Sequence, residues 1–216
     1  KFVDVNIEKL LNEKYLVETY EKFKKLKKKS FIHNFEEVFS STTHFSLVDK
    51  FNNVLSATSS IESSFGSRLF TNGFFLNNQL TDFSFKITDD LGVLIKNRPQ
   101  AEKKPLSSMS PLIIFDNNKN FYMTVGSPGG KAIISYVFKS LISTLYLNKN
   151  IERAINEPNY IKIKDKIFVE TDSLRDIVKQ NALKRNLTSG LAIIIKKKKN
   201  FEAVADSRRD GTVRGN

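Results

Sequence analysis

The sequence predicts an α+β fold from three features: a strand–turn–strand pattern over residues 42–61, a second one over residues 112–125, and helical segments placed between and around them. Asn6 is positioned to cap a helix in which Ile7, Leu10, Leu11, Tyr15, Val17, Tyr20 and Phe23 follow helical spacing. Residues 30–41 read as a linker. Thr42 to Val48 alternates as a strand does, Asp49 to Asn53 has turn composition, and Val54 to Ile61 reads as the return strand. A glycine-marked corner at Phe65-Gly66 leads to Phe74-Phe75-Leu76-Asn77-Asn78, and residues 84–104 read as a long polar surface loop.

In the second hairpin, Leu112 to Phe115 and Phe121 to Val125 flank Asp116-Asn117-Asn118-Lys119-Asn120. Gly126-Ser127-Pro128-Gly129-Gly130 breaks the chain and opens a helix from Lys131 to Leu147, with Ile134, Val137, Phe138, Leu141 and Leu145 on its apolar face. Beyond it the pattern predicts a short helix at Ile151 to Asn156, strands near Tyr160 and Phe168, a helix from Ser173 to Leu183 and a strand at 191–195. There is no internal repeat.

The chain has 216 residues, enough to bury a proper core, and its 40% hydrophobic and 11% aromatic content excludes wholesale disorder. It opens at Lys1 without an initiator Met or a signal-peptide pattern, and is expected to be the C-terminal part of a longer protein. Apolar runs reach only about five residues, as in Leu191 to Ile195, against the ~20 that a membrane-spanning helix needs. The absence of cysteine excludes disulfides, a thiol nucleophile and Cys-based metal sites, and two histidines, His33 and His44, argue against a multi-histidine metal centre. Net charge is +12, from 35 basic and 23 acidic residues, with clusters at Lys22 to Lys29 and Lys196 to Lys199. The first suits a helix C-terminus and the second a charged strand end. No nucleic-acid motif interleaves them, so they are read as solvated surface and no nucleic-acid partner is expected.

Three segments have chemical potential. Thr42, at the head of its strand, is either a β-branched residue in a favourable place or, if the bond after Ser41 is cut, a nucleophile. Its freed α-amine, with an unperturbed pKa of ~8, would serve as the base. A hairpin centred near Phe51 sets Thr42 opposite Ser60, with Cβ atoms roughly 4.5–5.5 Å apart, so the two hydroxyls can hydrogen-bond. His44 would share a strand face with Thr42 and is assigned a structural hydrogen-bonding role. Gly126 to Gly130 leading into a helix is either a tight turn or a nest of N–H groups for an oxyanion; it lacks the Lys-Ser/Thr ending of a P-loop. Pro105 to Pro111 holds Ser107, Ser108 and Ser110 between prolines, where they can donate to a carboxylate.

Thr42-Thr43-His44-Phe45-Ser46, Ser63-Ser64-Phe65-Gly66-Ser67, Leu76 to Phe83, Pro105 to Pro111, Gly126 to Gly130 and Asp206 to Gly211, in that order, resemble the gamma-glutamyltranspeptidase (glutathione hydrolase) family. The resemblance implies an N-terminal-nucleophile hydrolase with a four-layer αββα sandwich, of which this chain carries the C-terminal part. Residues 1–41 would be the tail of a large subunit and residues 42–216 the small catalytic subunit, separated by self-cleavage between Ser41 and Thr42. Thr42 matches the nucleophile, Ser60 the hydroxyl that supports it, and Gly129 and Gly130 the oxyanion hole. Glu62, Gln79 and Asp82 match positions that hold the substrate α-amino group; Ser107 and Ser108 match those that bind its α-carboxylate.

The implied substrates are glutathione and related γ-glutamyl compounds, with transfer to water or to an amine. The implied partner is the large subunit of the same precursor, which supplies the substrate-carboxylate arginine. No metal or organic cofactor is implied, and the location would be periplasmic or extracellular. Ser60 stands where threonine is usual, Glu62 where asparagine is frequent, and Asn52 where a turn glycine is usual. Two other readings are a related acylase for glutaryl or cephalosporin-type amides and a processing-dead basic binding protein.

Overall fold

The computed structural model describes residues 6–25, 42–163, 166–178, 182–198 and 200–215. The predicted linker 30–41, with His33 and Ser41, and the distal part of the first lysine cluster lie outside these. The chain forms two compact units, one drawn from residues 1–35 and 80–106, the other from residues 36–79 and 107–216.

In the first unit the predicted N-terminal helix is two helices, α1 (Ile7–Leu11) and α2 (Glu13–Lys25). Asn6 caps α1 through Oδ1, which accepts from the Lys9 N–H at 2.8 Å. The break comes at Asn12, whose Oδ1 accepts from the Tyr15 N–H at 3.0 Å and starts α2. A side chain that competes for backbone N–H groups is a better cap than a helix-interior residue, so the apolar spacing alone overran this stop. The segment 84–104 is irregular, as expected, with one bridge between Thr88 and Leu94 around a turn closed by Asp89.

The second unit is built on two antiparallel hairpins. In the first, β1 (Thr42–Val48) pairs with β2 (Val54–Ser60), Thr42 opposite Ser60 and His44 opposite Thr58. Asp49 fixes the turn: its Oδ1 accepts from the N–H groups of Phe51 and Asn53, both at 2.8 Å, while Asn52 takes the left-handed conformation at φ 64°. A small hairpin, β3 (Phe70–Thr71) with β4 (Phe74–Phe75), follows the Phe65-Gly66 corner. The second predicted hairpin is β5 (Leu112–Phe115) with β6 (Phe121–Gly126).

After β6, residues Gly130–Ala132 make a 3-10 turn into α3 (Ile133–Leu141), which continues as a π-helical turn over Ile142–Tyr146. Then come α4 (Ile151–Asn156), β7 (Tyr160–Ile163), β8 (Lys166–Val169), α5 (Asp172–Val178), β9 (Ala182–Lys184), β10 (Ala192–Lys196) and β11 (Phe201–Ala205). The strands form a four-stranded sheet in the order β11-β10-β6-β5 and a three-stranded sheet β7-β8-β9.

Strand periodicity divides the four-stranded sheet. Met123 and Val125 of β6 and Ile193 and Ile195 of β10 face the same core as Ile133, Tyr136 and Val137 of α3 and Ile151 and Ile155 of α4. The β1–β2 hairpin packs against β6 and β10 through the other set, with the His44 imidazole lying directly on Gly126. A Cβ built on Gly126 would sit 2.1 Å from His44 Cε1, so only glycine lets the two strands approach this closely.

Two further expectations are corrected, and one strand was missed. The predicted helix at 173–183 ends at Val178, and Ala182–Lys184 instead extends parallel to β8, where the edge of the three-stranded sheet satisfies its backbone and buries Ala182. The buried side of α3 is Ile133, Tyr136, Val137 and Ser140; of the residues assigned to its apolar face, Ile134 and Phe138 are more than half exposed. A lysine, Lys139, is buried instead. Its Nζ donates to the carbonyls of Ile155 (3.2 Å) and Glu157 (2.6 Å) at the end of α4, and burial lowers its pKa to about 8. β11 was not foreseen, because alternating Phe201-Glu202-Ala203-Val204-Ala205 follows the lysine cluster without a glycine or proline turn signal.

His44 generates two predictions. Gly126→Ala must displace the imidazole and is expected to cost about 1–3 kcal/mol in urea unfolding; unchanged stability would mean that the strands are free to separate. Burial also lowers the His44 pKa from 6.5 to about 4. The unfolded chain therefore binds the extra proton first, and stability falls on acidification between these two values. Urea midpoints at pH 7 and 4.5 should diverge more in the parent protein than in His44→Gln; equal slopes would remove His44 from the acid response.

Candidate active site

Thr42 is buried at the head of β1, and its Oγ1 lies 2.9 Å from Ser60 Oγ across the hairpin. Ser60 Oγ also accepts from the Glu62 N–H at 2.9 Å. A serine hydroxyl has one proton and two acceptor positions, so with the Glu62 amide on one lone pair Ser60 can still exchange a hydrogen bond with Thr42. Glu62 sits at φ 71°, an uncommon conformation for a non-glycine residue, which turns the chain out of β2 immediately after the pair. Its Oε2 accepts from Gln79 Nε2 at 3.2 Å. Four of the site residues named from the sequence, Thr42, Ser60, Glu62 and Gln79, are thus joined in one run of hydrogen bonds.

The loop that returns the chain from Glu62 to Gln79 is tied across its base. Asn78 Oδ1 accepts from the Ser63 N–H (3.0 Å), and Asn78 Nδ2 donates to Ser63 Oγ (3.1 Å). Gly66 makes the close turn: its N–H donates to the Ser63 carbonyl, and a Cβ there would lie 2.1 Å from the Leu76 carbonyl oxygen. Asp82 ends the 3-10 turn Gln79–Asp82 and belongs to the first compact unit, where its carbonyl accepts from Asn97 Nδ2 at 2.7 Å.

On the sheet side, β6 ends at Gly126 under His44, whose Nδ1 is 2.9 Å from Thr58 Oγ1 and whose Nε2 is 3.1 Å from Ser46 Oγ. Gly129 (φ 141°) and Gly130 (φ 56°) both adopt conformations that disfavour side chains. A Cβ on Gly129 would also strike the Tyr136 ring at 2.5 Å. Tyr136 is buried, and burial raises its pKa to about 12, so it supports the loop as a neutral phenol. Thr42 and Pro128 line one cavity of about 360 Å³, bordered by Gly190, Asp206 and Arg209. Ser107 and Ser108 precede β5; Ser107 Oγ accepts from the Met109 N–H at 3.2 Å, and the Ser108 carbonyl accepts from Ser110 Oγ at 3.0 Å.

The sequence reading missed the buried polar cluster behind this loop. Asp206 accepts from the Ser189 hydroxyl and the Arg208 N–H, and Arg208 also pairs with Glu170. The Asp-Ser-Arg tripeptide was visible, but its partners lie far away in the chain. Among the described residues no group of three His, Asp or Glu side chains converges as a metal site would require.

Comparison with known proteins identifies the family. A family model described as Gamma-glutamyltranspeptidase matches residues 1–215. The glutathione hydrolase proenzyme of Bacillus subtilis (strain 168) is 34% identical over 192 residues, which cover 83% of this chain and 32% of that relative. The chain spans about a third or less of the length of the curated relatives it matches. A crystal structure of a Helicobacter pylori gamma-glutamyltranspeptidase mutant superposes with a TM-score of 0.68 at 31% identity, covering 77% of this chain and all of that one. Cephalosporin acylase from Bacillus halodurans, at 18% identity, gives a TM-score of 0.75 over 99% of this chain and 40% of its own, a likeness of fold alone. The fold is α+β of the N-terminal-nucleophile hydrolase type, and the chain belongs to the gamma-glutamyltranspeptidase family.

Proposed function

We propose that residues 42–216 are the catalytic region of a γ-glutamyl hydrolase and transferase, released from residues 1–41 and the rest of a large subunit by cleavage between Ser41 and Thr42. The observation that carries this reading is the hydrogen-bonded run from Thr42 through Ser60 and Glu62 to Gln79. It links the Thr42 hydroxyl, through the Ser60 hydroxyl and the Glu62 amide, to a residue whose carboxylate suits the ammonium group of a γ-glutamyl donor. The word proenzyme in the names of the relatives supports a cut precursor.

In the proposed reaction the Thr42 α-amine takes the proton from Oγ1, and Oγ1 attacks the γ-carbonyl carbon. The N–H groups of Gly129 and Gly130 receive the oxyanion. The C–N bond then breaks, the α-ammonium returns its proton to the leaving amine, and an ester on Thr42 remains. Water or a second amine attacks that ester by the same route in reverse. Ser60 orients Oγ1. Glu62 and Gln79 would bind the donor α-ammonium, and Ser107 and Ser108 its α-carboxylate, together with a cation from the large subunit.

The shared fold equally admits an acylase for glutaryl-type amides. The Glu62–Gln79 pair favours the γ-glutamyl donor, because a glutaryl chain has no ammonium to compensate a carboxylate there.

Intact-mass measurement of the full-length protein should show a fragment beginning at Thr42. Thr42→Ala should leave one uncut chain without γ-glutamyl turnover, and turnover by a folded Thr42→Ala protein would take Thr42 out of the mechanism. Glu62→Gln should raise KM for a γ-glutamyl anilide about 10- to 100-fold, the scale of a lost charge-assisted contact, with little change for the glutaryl anilide. Equal losses on both would refute the ammonium site.

A further inference from the structure

We propose that Ser127 is a positioning residue that sets the direction of the Gly129 N–H, and that the segment Ser189-Gly190-Leu191 is the anchor that holds Ser127 in place. The inference rests on the reading of Gly129 and Gly130 as oxyanion donors. Ser127 is fully buried, and its hydroxyl is used twice: Oγ donates to the Pro128 carbonyl at 2.7 Å and accepts from the Gly190 N–H at 3.1 Å. The Pro128 carbonyl and the Gly129 N–H are opposite ends of one planar trans peptide. A hydroxyl that captures the carbonyl therefore fixes the N–H on the other side. Pro128 cannot turn about its own φ, whereas Gly129, at φ 141°, has the freedom to let this peptide rotate. Among the described residues, the Ser127 hydroxyl is the side-chain group that holds the Pro128 carbonyl.

The anchor is itself built in. Asp206, buried to 1% exposure, accepts from the Ser189 hydroxyl and from the Leu191 N–H at 3.4 Å. Asn159 Nδ2 donates to Ser189 Oγ at 2.9 Å and to the Leu187 carbonyl at 3.0 Å. Gly190 has no room for a side chain: a Cβ would meet Pro128 Cγ at 2.7 Å and Arg209 Cδ at 2.9 Å. The 189–191 segment thus touches the loop twice, through a hydrogen bond to Ser127 and through packing on the Pro128 ring. A buried aspartate serves here to hold a backbone amide that aims a second one.

The test compares the full-length parent protein with Ser127→Ala, Ser127→Thr and Gly190→Ala on a γ-glutamyl anilide, alongside inhibition by glutamate and by a tetrahedral boronate analogue of the donor. A misdirected oxyanion donor lowers kcat while leaving ground-state binding alone. Ser127→Ala is expected to lose about 10- to 100-fold in kcat, with KM and glutamate affinity within about twofold and boronate affinity weakened in step with kcat. Ser127→Thr, which keeps the hydroxyl, should restore most of kcat. A Ser127→Ala protein with kcat within twofold of the parent, or with its loss confined to KM, overturns the inference. If Ser127→Ala does not fold, Gly190→Ala decides: the same kcat-selective loss supports the anchor, and an unchanged kcat overturns it. A parent protein without γ-glutamyl turnover overturns the proposed function, and this inference with it.

Discussion

The contact between the His44 ring and the bare Cα of Gly126 governs how the second unit is put together. It joins the strand that begins at Thr42 to the strand that ends in the Gly-Ser-Pro-Gly-Gly loop, at a separation that no side chain on residue 126 would allow. The hydroxyl pair and the glycine loop inherit their positions from these two strands. Ser60 and Glu62 follow from β1 through the hairpin ladder, and Gln79 follows from Glu62. Pro128, Gly129 and Gly130 follow from β6. The imidazole suits the task because burial keeps it neutral and because two hydroxyls, on Thr58 and Ser46, occupy both ring nitrogens. A charged ring there would be taken out of water at the cost that lowers its pKa.

The opposite face of the sheet is stabilised by different means. Met123, Val125, Ile193 and Ile195 bury themselves against α3 and α4, and beside this core lie two cations that would be costly if unpaired. Lys139 and Arg208 both donate to the carbonyls of Ile155 and Glu157, where α4 ends and its own hydrogen-bond ladder has run out. Each uses the negative end of a short helix as part of its solvation, with Glu170 and Asp206 balancing Arg208. The C-terminal segment is thereby held by the helix layer, and through Asp206 it reaches the loop carrying the glycine pair.

Much of this was legible in the sequence because it is local. The Asp49 turn has the composition of a tight hairpin, and a hairpin's register follows from its turn, so the opposition of Thr42 and Ser60 can be counted from the sequence. The glycine pair announced a backbone that side chains would obstruct. What escaped was decided by tertiary context. The apolar residues of α3 outnumber those the core can take, so spacing alone picks Ile134 and Phe138 where the core takes Ile133 and Tyr136. The burial of Lys139 has no local signal, because it depends on carbonyl acceptors 16 and 18 residues further on. Ala182–Lys184 carries no strong strand signal and is strand only because the edge of β8 is there to receive it. The role of Ser127 has no local signal, since its partner Gly190 lies 63 positions away.

The closeness of the Thr42 and Ser60 hydroxyls bears on the timing of maturation. The ladder from Thr43 to Val54 and the Asp49 turn bring them together, and neither includes the peptide bond before Thr42. Under the proposed cleavage, the frame of the site stands before the bond is cut. What the cut adds is a titratable amine and a carboxylate, together with the freedom of two new chain ends to part. The proposed maturation is then a change of charge and connectivity laid on a hairpin already formed, and its rate should report local chemistry at one peptide bond.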